Sequence, residues 1–216
     1  MADKLDKHFE GGVEPLTLEE YSEKYRDFFV FTRKDGILEA RMHTNGGPYE
    51  HTWNGHDAWS QAWVDIANDP ENEVLIITGT GDYWYTIPYS KDPAKRKAEG
   101  NWQDLPYREW SPDAQLRQYK GSYKLLENLV FQIDIPTIAA VNGPGAHIEF
   151  ALASDITLSA PDVKFFENHF IFGVPPGDGL YLILQELLGP KRGAYYMYTG
   201  EDIGAEKAKE LGLVNE

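Results

Sequence analysis

The chain has 216 residues, enough for one large domain with a hydrophobic core. It contains no cysteine, which excludes disulfides, thiolate nucleophiles and cysteine-ligated metals. Its net charge of −15 disfavours binding to nucleic acid or to an anionic membrane surface. Because it shows no apolar segment near the N-terminus and no run of about 18 apolar residues, we expect a cytoplasmic protein without membrane partners.

The first part of the chain predicts a polar tail, a short helix and a β-hairpin. Residues 1–25 are polar and charged, with a helix expected at 18–25, and they precede a single domain at 26–216. Strands are predicted at 28–32 and 37–43, around a turn that contains Asp35 and Gly36. A helix with apolar residues at helical spacing follows from Trp53 to about residue 68.

Residues 82–114 form the least regular segment of the chain. Aromatic residues are interleaved there with lysine, arginine, aspartate and glutamate. A long polar loop of this kind is typical of a lid or a wall of a binding site. We therefore expect Trp84 and Pro88 to contact a substrate.

The remaining segments alternate strands and helices, which predicts an α/β fold. Apolar runs at 74–78 and 137–141 are typical of buried parallel strands, and shorter strands are expected at 156–159 and 164–166. Helices are predicted at 180–188, 191–198 and 205–211. A long helix at 114–133 has apolar positions at Leu116, Tyr119, Tyr123, Leu126, Leu129 and Val130.

Residues 142–179 contain the side chains with the clearest chemical potential. His147, His169 and Asp178 each lie near glycine, proline or small residues, where the backbone can approach a ligand. Histidine is the natural base near neutral pH, and a carboxylate bonded to it fixes its tautomer. A structural alternative remains open for Asp178, which is placed to cap a helix starting near Leu180.

Five motifs in combination resemble the crotonase (enoyl-CoA hydratase/isomerase) superfamily, over roughly residues 28–216. They are V-L-I-I-T-G-T-G at 74–81, I-P-T-I-A-A-V-N-G-P at 135–144, S-D-I-T-L-S-A at 154–160, F-G-V-P-P-G-D-G at 172–179 and the segment from K-R-G-A at 191 to the end. The resemblance implies a β-β-α spiral, here with a short or missing C-terminal helical region, assembled as trimers or dimers of trimers. It also implies acyl-CoA binding and an enolate held by two backbone N–H groups.

Two departures from the family pattern argue against a CoA thioester. Where the family typically reads A-G-A-D, this chain reads T-I-P-Y at 86–89, so Pro88 falls about where a backbone donor is expected and supplies none. The usual G-G-G run reads G-A-H at 145–147, so the imidazole of His147 replaces a glycine. Glu149 matches the first catalytic glutamate of the hydratases, whereas the second glutamate falls on His169. We expect Glu149 among the substrate-binding residues, although it is equally suited to a structural role.

The altered positions resemble the β-diketone hydrolase (6-oxocamphor hydrolase-like) branch. These enzymes cleave the carbon–carbon bond between two carbonyls by a retro-Claisen reaction, with neither CoA nor metal. The resemblance implies carbonyl-binding roles for Trp53 and His169, and it matches His56, His147 and Asp178 to the other site residues. A further acidic residue of that branch lies in C-terminal helices beyond the matched region, which puts the trimeric packing in doubt.

We therefore hypothesise that the chain hydrolyses a cyclic β-diketone. In this hypothesis His147 and Asp178 activate a water molecule, His169 and the indole of Trp53 donate hydrogen bonds to the carbonyls, and His56 supports proton transfer. The expected partners are a small apolar diketone and further copies of the chain. We expect no cofactor, and no metal, because the paired ligand spacings typical of zinc sites are missing.

Three alternatives stay open at this stage. One is a CoA-dependent hydratase or isomerase, and another is a catalytically inactive protein of the same fold that binds a small molecule. At the level of single residues, His56 and Trp53 are also suited to a purely structural role in the core.

Overall fold

The computed structural model describes residues 14–87, 110–167, 169–172 and 175–216. Its main sheet consists of β1 (Phe29–Lys34), β2 (Ile37–Met42), β3 (Val74–Thr78), β4 (Thr137–Val141) and β5 (Ile156–Ser159), in that spatial order. The first two strands are antiparallel, and every later pair is parallel. The predicted hairpin and the two predicted parallel strands are therefore confirmed.

Six α-helices accompany the sheet in the described part of the chain. They are α1 (Leu18–Lys24), α2 (Trp53–Asn68), α3 (Pro112–Gln132), α4 (Ile148–Leu152), α5 (Leu180–Thr199) and α6 (Ala205–Leu211). Two short strands pair antiparallel outside the main sheet: β6 (Lys164–Phe165) and β7 (Ile203–Gly204). The sequence predicted β6 but not β7. A 3-10 turn at His169–Phe172 follows β6. This order confirms the α/β class.

The turn between β1 and β2 shows how local sequence determines the start of the sheet. Asp35 and Gly36 adopt positive φ angles of 52° and 78°. Positive φ at both central residues is what a type I′ two-residue hairpin turn requires, and Asp-Gly is among the pairs that adopt it most readily. The alternating burial along β1 and β2 then places Phe29, Leu38 and Met42 in the core.

Helices α2 and α3 pack against each other and form one wall of the site. The side chain of Thr52 caps α2 by accepting from the N–H of Gly55 at 3.0 Å, and Ser111 caps α3 in the same way. Between the helices, Asn128 Nδ2 donates to the carbonyl of Ser60 at 2.6 Å. Gly121 faces the same interface, where a Cβ would make an ordinary van der Waals contact with the imidazole of His56 at 3.6 Å.

The apolar positions expected along α3 are only partly buried. Leu126 and Leu129 belong to the core, whereas Leu116, Tyr119, Tyr123 and Val130 are exposed. The buried face instead includes Gly121, Leu125 and Asn128. The face of α3 that packs against α2 therefore carries small and polar residues beside its leucines.

The break between the two predicted C-terminal helices is confirmed at Gly189. This residue has φ 77° and ψ 162° inside α5 and is followed by Pro190, so the helix divides into two segments there. None of the helices in the described ranges is long and apolar enough to cross a membrane.

Part of the sequence-based outline concerns residues outside the described ranges. The tail up to residue 13, Pro88 and most of the expected lid, at 88–109, are among them. The division into an N-terminal tail and one domain stays a prediction.

Candidate active site

The candidate site lies where two loops at the ends of neighbouring parallel strands run side by side. After β3, the carbonyl of Tyr85 accepts from the N–H of Ala146 at 3.0 Å, and the N–H of Trp84 donates to the carbonyl of Pro144 at 3.1 Å. Asn142 ties the same loops together by accepting from the N–H of Gly79 at 3.0 Å. Ligands of α/β sheets bind at the carboxyl ends of the strands, which is where these loops meet.

Gly145 is required by this close approach. A Cβ at Gly145 would lie 2.5 Å from the backbone nitrogen of Tyr85 and 2.7 Å from its oxygen. Two residues later His147 has a left-handed backbone, with φ 51°, and precedes α4. Non-glycine residues adopt this conformation at a cost, and such strain is concentrated at functional sites.

A carboxylate and an imidazole on this turn make a short, direct contact. Nδ1 of His147 lies 2.5 Å from Oε1 of Glu149, which is almost completely buried. Oδ2 of Asp178 is farther from the same nitrogen, at 3.6 Å. Glu149 is therefore the hydrogen-bond partner of Nδ1, because α4 begins directly after His147 and brings Glu149 back toward it, while Asp178 lies at ion-pair distance. A joint role of His147 and Asp178 stays a prediction.

Asp178 instead makes its shortest contact with His169. Its Oδ2 lies 2.8 Å from Nε2 of His169, and Nδ1 of the same ring lies 2.8 Å from Oε1 of Glu167. Asp178 precedes α5, but its Oδ1 is 3.5 Å from the N–H of Leu180, and Gly179 takes the N-cap position without a side-chain bond. Its contacts thus favour a role toward the histidines over helix capping.

Asp178 and His169 carry opposite charges at neutral pH, and each charge stabilises the other. Burial raises the pKa of Asp178, but the hydrogen bond and charge of His169 outweigh it and lower that pKa to about 2. Burial lowers the pKa of His169, yet Asp178 and Glu167 together raise it to about 10. His169 is therefore an imidazolium at neutral pH, held between two carboxylates.

In the pair His147 and Glu149, the pKa values of both groups are raised. Burial lowers the pKa of His147, whereas the charge and hydrogen bond of Glu149, with the charge of Asp178, raise it above its ordinary value. Burial and the charge of Asp178 raise the pKa of Glu149. Each group of this buried pair therefore binds a proton more tightly than it would in water.

Two further histidines lie against His147 and are held neutral. The ring of His56 lies 5.1 Å from that of His147, and burial, with the charge of His147, lowers the pKa of His56 to about 3. The ring of His51 stacks on His147 at 5.7 Å, and burial lowers its pKa well below the usual value. The site therefore combines raised and lowered histidine pKa values within a small volume.

A cleft of about 310 Å³ opens beside this group of histidines. It runs between α2 and α3, and Trp53, His56, Asp57, Trp110 and Arg117 are among its lining residues. The rings of Trp53 and Trp110 meet edge to face at 5.1 Å. The cleft therefore gives a small apolar molecule access to His56 and Trp53.

The spacing of one trio also bears on the question of metals. Ligand atoms of His147, Glu149 and Asp178 lie within 4.8 Å of one another, so they are able to surround an ion. A metal would have to displace the direct contact between His147 and Glu149. The expectation of a metal-independent site stays a prediction.

The structure also assigns one predicted substrate-binding residue to the core, and it brings two further residues to the site. Trp84 is fully buried against Phe150, with its indole N–H directed at the carbonyl of His147 at 3.5 Å, so we assign it to the core rather than to substrate contact. Sequence reasoning missed His51 and Tyr85, which meet at 2.6 Å. The one signal that marks His51 is its position five residues before His56, at the entrance to α2.

Comparison with known proteins gives the family. A model of the enoyl-CoA hydratase/isomerase family matches residues 100–216. The chain is 33% identical over 160 residues to carnitinyl-CoA dehydratase of Salmonella paratyphi A, covering 73% of this chain and 56% of that protein. The chain thus spans little more than half the length of these curated relatives.

Solved structures show the same fold. A β-diketone hydrolase from the cyanobacterium Anabaena, bound to (S)-3-oxocyclohexyl acetic acid, is 35% identical with a TM-score of 0.79, over 93% of this chain and 76% of that one. An enoyl-CoA hydratase/isomerase from Mycobacterium paratuberculosis is 21% identical with a TM-score of 0.75, over 88% of this chain and 72% of that one. The chain belongs to the enoyl-CoA hydratase/isomerase family and has the crotonase fold.

Proposed function

We propose that the protein hydrolyses the carbon–carbon bond between the two carbonyls of a cyclic β-diketone. The observation that carries this proposal is the buried series Glu149–His147–Asp178–His169–Glu167, in which carboxylates and imidazoles alternate. Titratable groups whose pKa values are driven apart are typical of acid–base sites. The likeness to the Anabaena β-diketone hydrolase supports the same reaction class.

The reaction balances without a cofactor. Water adds to one carbonyl carbon, the bond from that carbon to the central carbon breaks, and its electron pair forms the enolate of the second carbonyl. A proton then joins the central carbon, so that diketone and water give one keto acid. The acid bound to the Anabaena enzyme, (S)-3-oxocyclohexyl acetic acid, is a keto acid of this type.

The side chains divide the work according to their charge. His147, with Nδ1 held by Glu149, uses Nε2 to accept a proton from the attacking water. His169 supplies a positive charge that stabilises the oxyanion formed at the attacked carbonyl, since its two ring nitrogens already face Asp178 and Glu167. The indole of Trp53 donates to the second carbonyl, and neutral His56, 6.0 Å from Trp53 between ring centres, assists proton return to the central carbon.

The backbone of the site favours side-chain donors over the amide pair used for thioesters. The N–H of Ala146, in the turn that corresponds to the family's glycine run, already donates to the carbonyl of Tyr85 at 3.0 Å. The imidazole of His147 occupies the next position of that turn. Both features count against a CoA thioester, because they leave less space at this turn and fewer free backbone N–H donors.

The test is turnover of monocyclic and bicyclic 1,3-diketones by the purified protein. We expect loss of diketone and formation of the matching keto acid, with one oxygen-18 atom in the carboxylate when the reaction runs in labelled water. His147→Ala and Asp178→Asn should each lower kcat roughly 10²–10⁴-fold. Near-normal turnover by both variants would contradict the assignment.

A CoA-dependent hydratase or isomerase is the second candidate. The similarity to carnitinyl-CoA dehydratase favours it, as does Glu149, which matches a catalytic glutamate of the hydratases. Hydration of crotonyl-CoA, measured as loss of enone absorbance, distinguishes the two. Turnover of crotonyl-CoA together with failure on the diketone panel would replace the first proposal by the second.

We also propose that the protein self-associates, as a trimer or a dimer of trimers. The exposed apolar residues of α3, including Tyr119 and Tyr123, support a surface that is covered in an assembly. Light scattering coupled to size-exclusion chromatography measures the mass directly, and a strictly monomeric protein at micromolar concentration would contradict it.

A further inference from the structure

His51 and Tyr85 border the proposed reaction site, and neither takes part in the reaction steps proposed above. His51 is buried, and its ring lies parallel to that of His147 at 5.7 Å and 5.3 Å from that of Trp53. Its Nδ1 is 2.6 Å from the hydroxyl of Tyr85. The pair therefore adjoins both the proposed base and a proposed carbonyl donor.

The backbone around the pair is fixed on both sides. The N–H of His51 donates to the carbonyl of Thr86 at 2.8 Å, and the N–H of Thr86 donates to the carbonyl of Tyr49 at 2.9 Å. The ring of Tyr85 packs 4.7 Å from Tyr49 and 5.4 Å from Trp59. Neither partner is able to move far without disturbing the core.

The charge state of both partners follows from their burial. Burial lowers the pKa of His51, and the nearby His147 and His56 lower it further, so the imidazole stays neutral. Burial raises the pKa of Tyr85 well above its usual value, so the phenol keeps its proton. A neutral imidazole has one donor nitrogen and one acceptor nitrogen, and the hydrogen bond of Nδ1 decides which is which.

The geometry favours the tyrosine as donor. A buried phenol needs an acceptor for its proton, and His51 Nδ1 lies 2.6 Å from it. An imidazole nitrogen is a stronger acceptor than the neighbouring hydroxyl of Tyr49, so the proton of Tyr85 is directed at His51. With Nδ1 accepting, the proton of His51 is on Nε2.

We propose that Tyr85 is a positioning residue that fixes His51 as its Nε2–H tautomer, and that His51 then donates a hydrogen bond to the second carbonyl of the substrate. The role in catalysis rests on the proposed diketone hydrolysis. A carbonyl or enolate oxygen has two lone pairs, so it accepts from the adjacent Trp53 and His51 together. A neutral donor stabilises the enolate while leaving its oxygen unprotonated.

The tautomer is measured without any substrate. Nitrogen-15 NMR of the histidine-labelled protein should show His51 with a protonated Nε2 and an unprotonated Nδ1, unchanged across neutral pH. Tyr85→Phe should convert this signal to a mixture of tautomers, whereas Tyr83→Phe, on the same loop but partly exposed, should leave it unchanged. A wild-type His51 protonated on Nδ1 would overturn the proposal.

The donor role is tested by a matched pair of variants. The amide of His51→Gln places a donor near the position of Nε2, whereas His51→Asn reaches only as far as Nδ1. With a diketone substrate, we expect Asn to lower kcat/KM about tenfold, as for one lost hydrogen bond, and Gln to recover most of it. Equal losses in both variants would exclude donation by His51, while a wild-type protein inactive on all diketones would instead remove the proposed reaction and leave the tautomer measurement standing.

Discussion

Asp178 lies close to the imidazoles of both His169 and His147. It contacts His169 at 2.8 Å and lies 3.6 Å from His147, and it is buried. A buried carboxylate stays ionised only when cations or donors compensate for lost hydration. The charge on Asp178 and the charge on His169 therefore depend on each other, and removing either one changes the protonation of the rest.

Glu149→Gln tests the role of the carboxylate beside His147. The amide keeps the shape and still accepts a hydrogen bond, but it removes the negative charge that raises the pKa of His147. We expect kcat for diketone hydrolysis to fall roughly 10²–10⁴-fold, as for other orienting carboxylates, with a lower pKa of His147 by NMR. The surface change Glu210→Gln is the control, and equal activity of the two variants would contradict the role of Glu149.

The sequence indicates the identity of the site residues better than their pairing. His147, His169 and Asp178 stand out because turns rich in glycine and proline surround them. Which carboxylate meets which imidazole depends on how the turn before α4 faces the one before α5, and neighbouring residues do not encode that. His51 was missed because its partner Tyr85 lies 34 residues away along the chain.

At the scale of secondary-structure elements, the site depends on how α5 begins. Gly179 is the N-cap of α5 with φ 103°, and a Cβ there would lie 2.2 Å from Cδ2 of Leu126 in α3. The residue before it is Asp178, so the contact between two helices determines where the carboxylate lies. Strand and helix positions followed from periodicity, but this contact between α3 and α5 did not.

Gly179→Ala should therefore reduce both stability and activity. The substitution adds a clash to an unfavourable backbone angle, for an expected loss of about 1–3 kcal/mol in the free energy of unfolding. Gly177→Ala in the same loop is the control, since a Cβ there meets no described atom within 4 Å. Thermal unfolding and kcat measure the two effects, and a Gly179→Ala protein that behaves like Gly177→Ala would show that this helix contact is not needed.

A second cluster of polar side chains, away from the histidines, joins α1, β1 and the end of α2. Substitutions there should change the stability of the protein without changing its catalysis. Oδ2 of buried Asp69, just after α2, accepts from the hydroxyl of Tyr21 in α1 at 3.0 Å and from the guanidinium of Arg33 in β1 at 2.6 Å. Asp69→Ala removes the acceptor of the Tyr21 hydroxyl and one of the acceptors of Arg33, which keeps Asn72 and Glu71, and we expect a loss of about 1–3 kcal/mol in the free energy of unfolding. Chemical denaturation measures this, and kcat well below the unfolding temperature should remain near that of the wild type.

On the scale of the whole molecule, the buried histidines make stability depend on pH in both directions. The pKa of His169 rises from 6.5 to about 10 on folding, so its stabilisation is complete below pH 6.5 and is lost as pH rises through 10. The pKa of His56 falls from 6.5 to about 3, so its contribution is complete above pH 6.5 and is lost as pH falls through 3. Asp178, whose pKa falls from 3.8 to about 2, adds to the loss at acid pH.

Single substitutions should flatten one side of this profile and leave the other. His169→Gln removes the group that gains a proton on folding, so the free energy of unfolding should decline less between pH 6.5 and 10 than in the wild type. His56→Asn removes a group that must stay neutral when folded, so the decline below pH 6.5 should be shallower. Denaturant titrations across this range measure both slopes. If His169→Gln left the alkaline slope unchanged, His169 would not be an imidazolium in the folded protein, and its proposed role as the positive charge at the attacked carbonyl would fail with it.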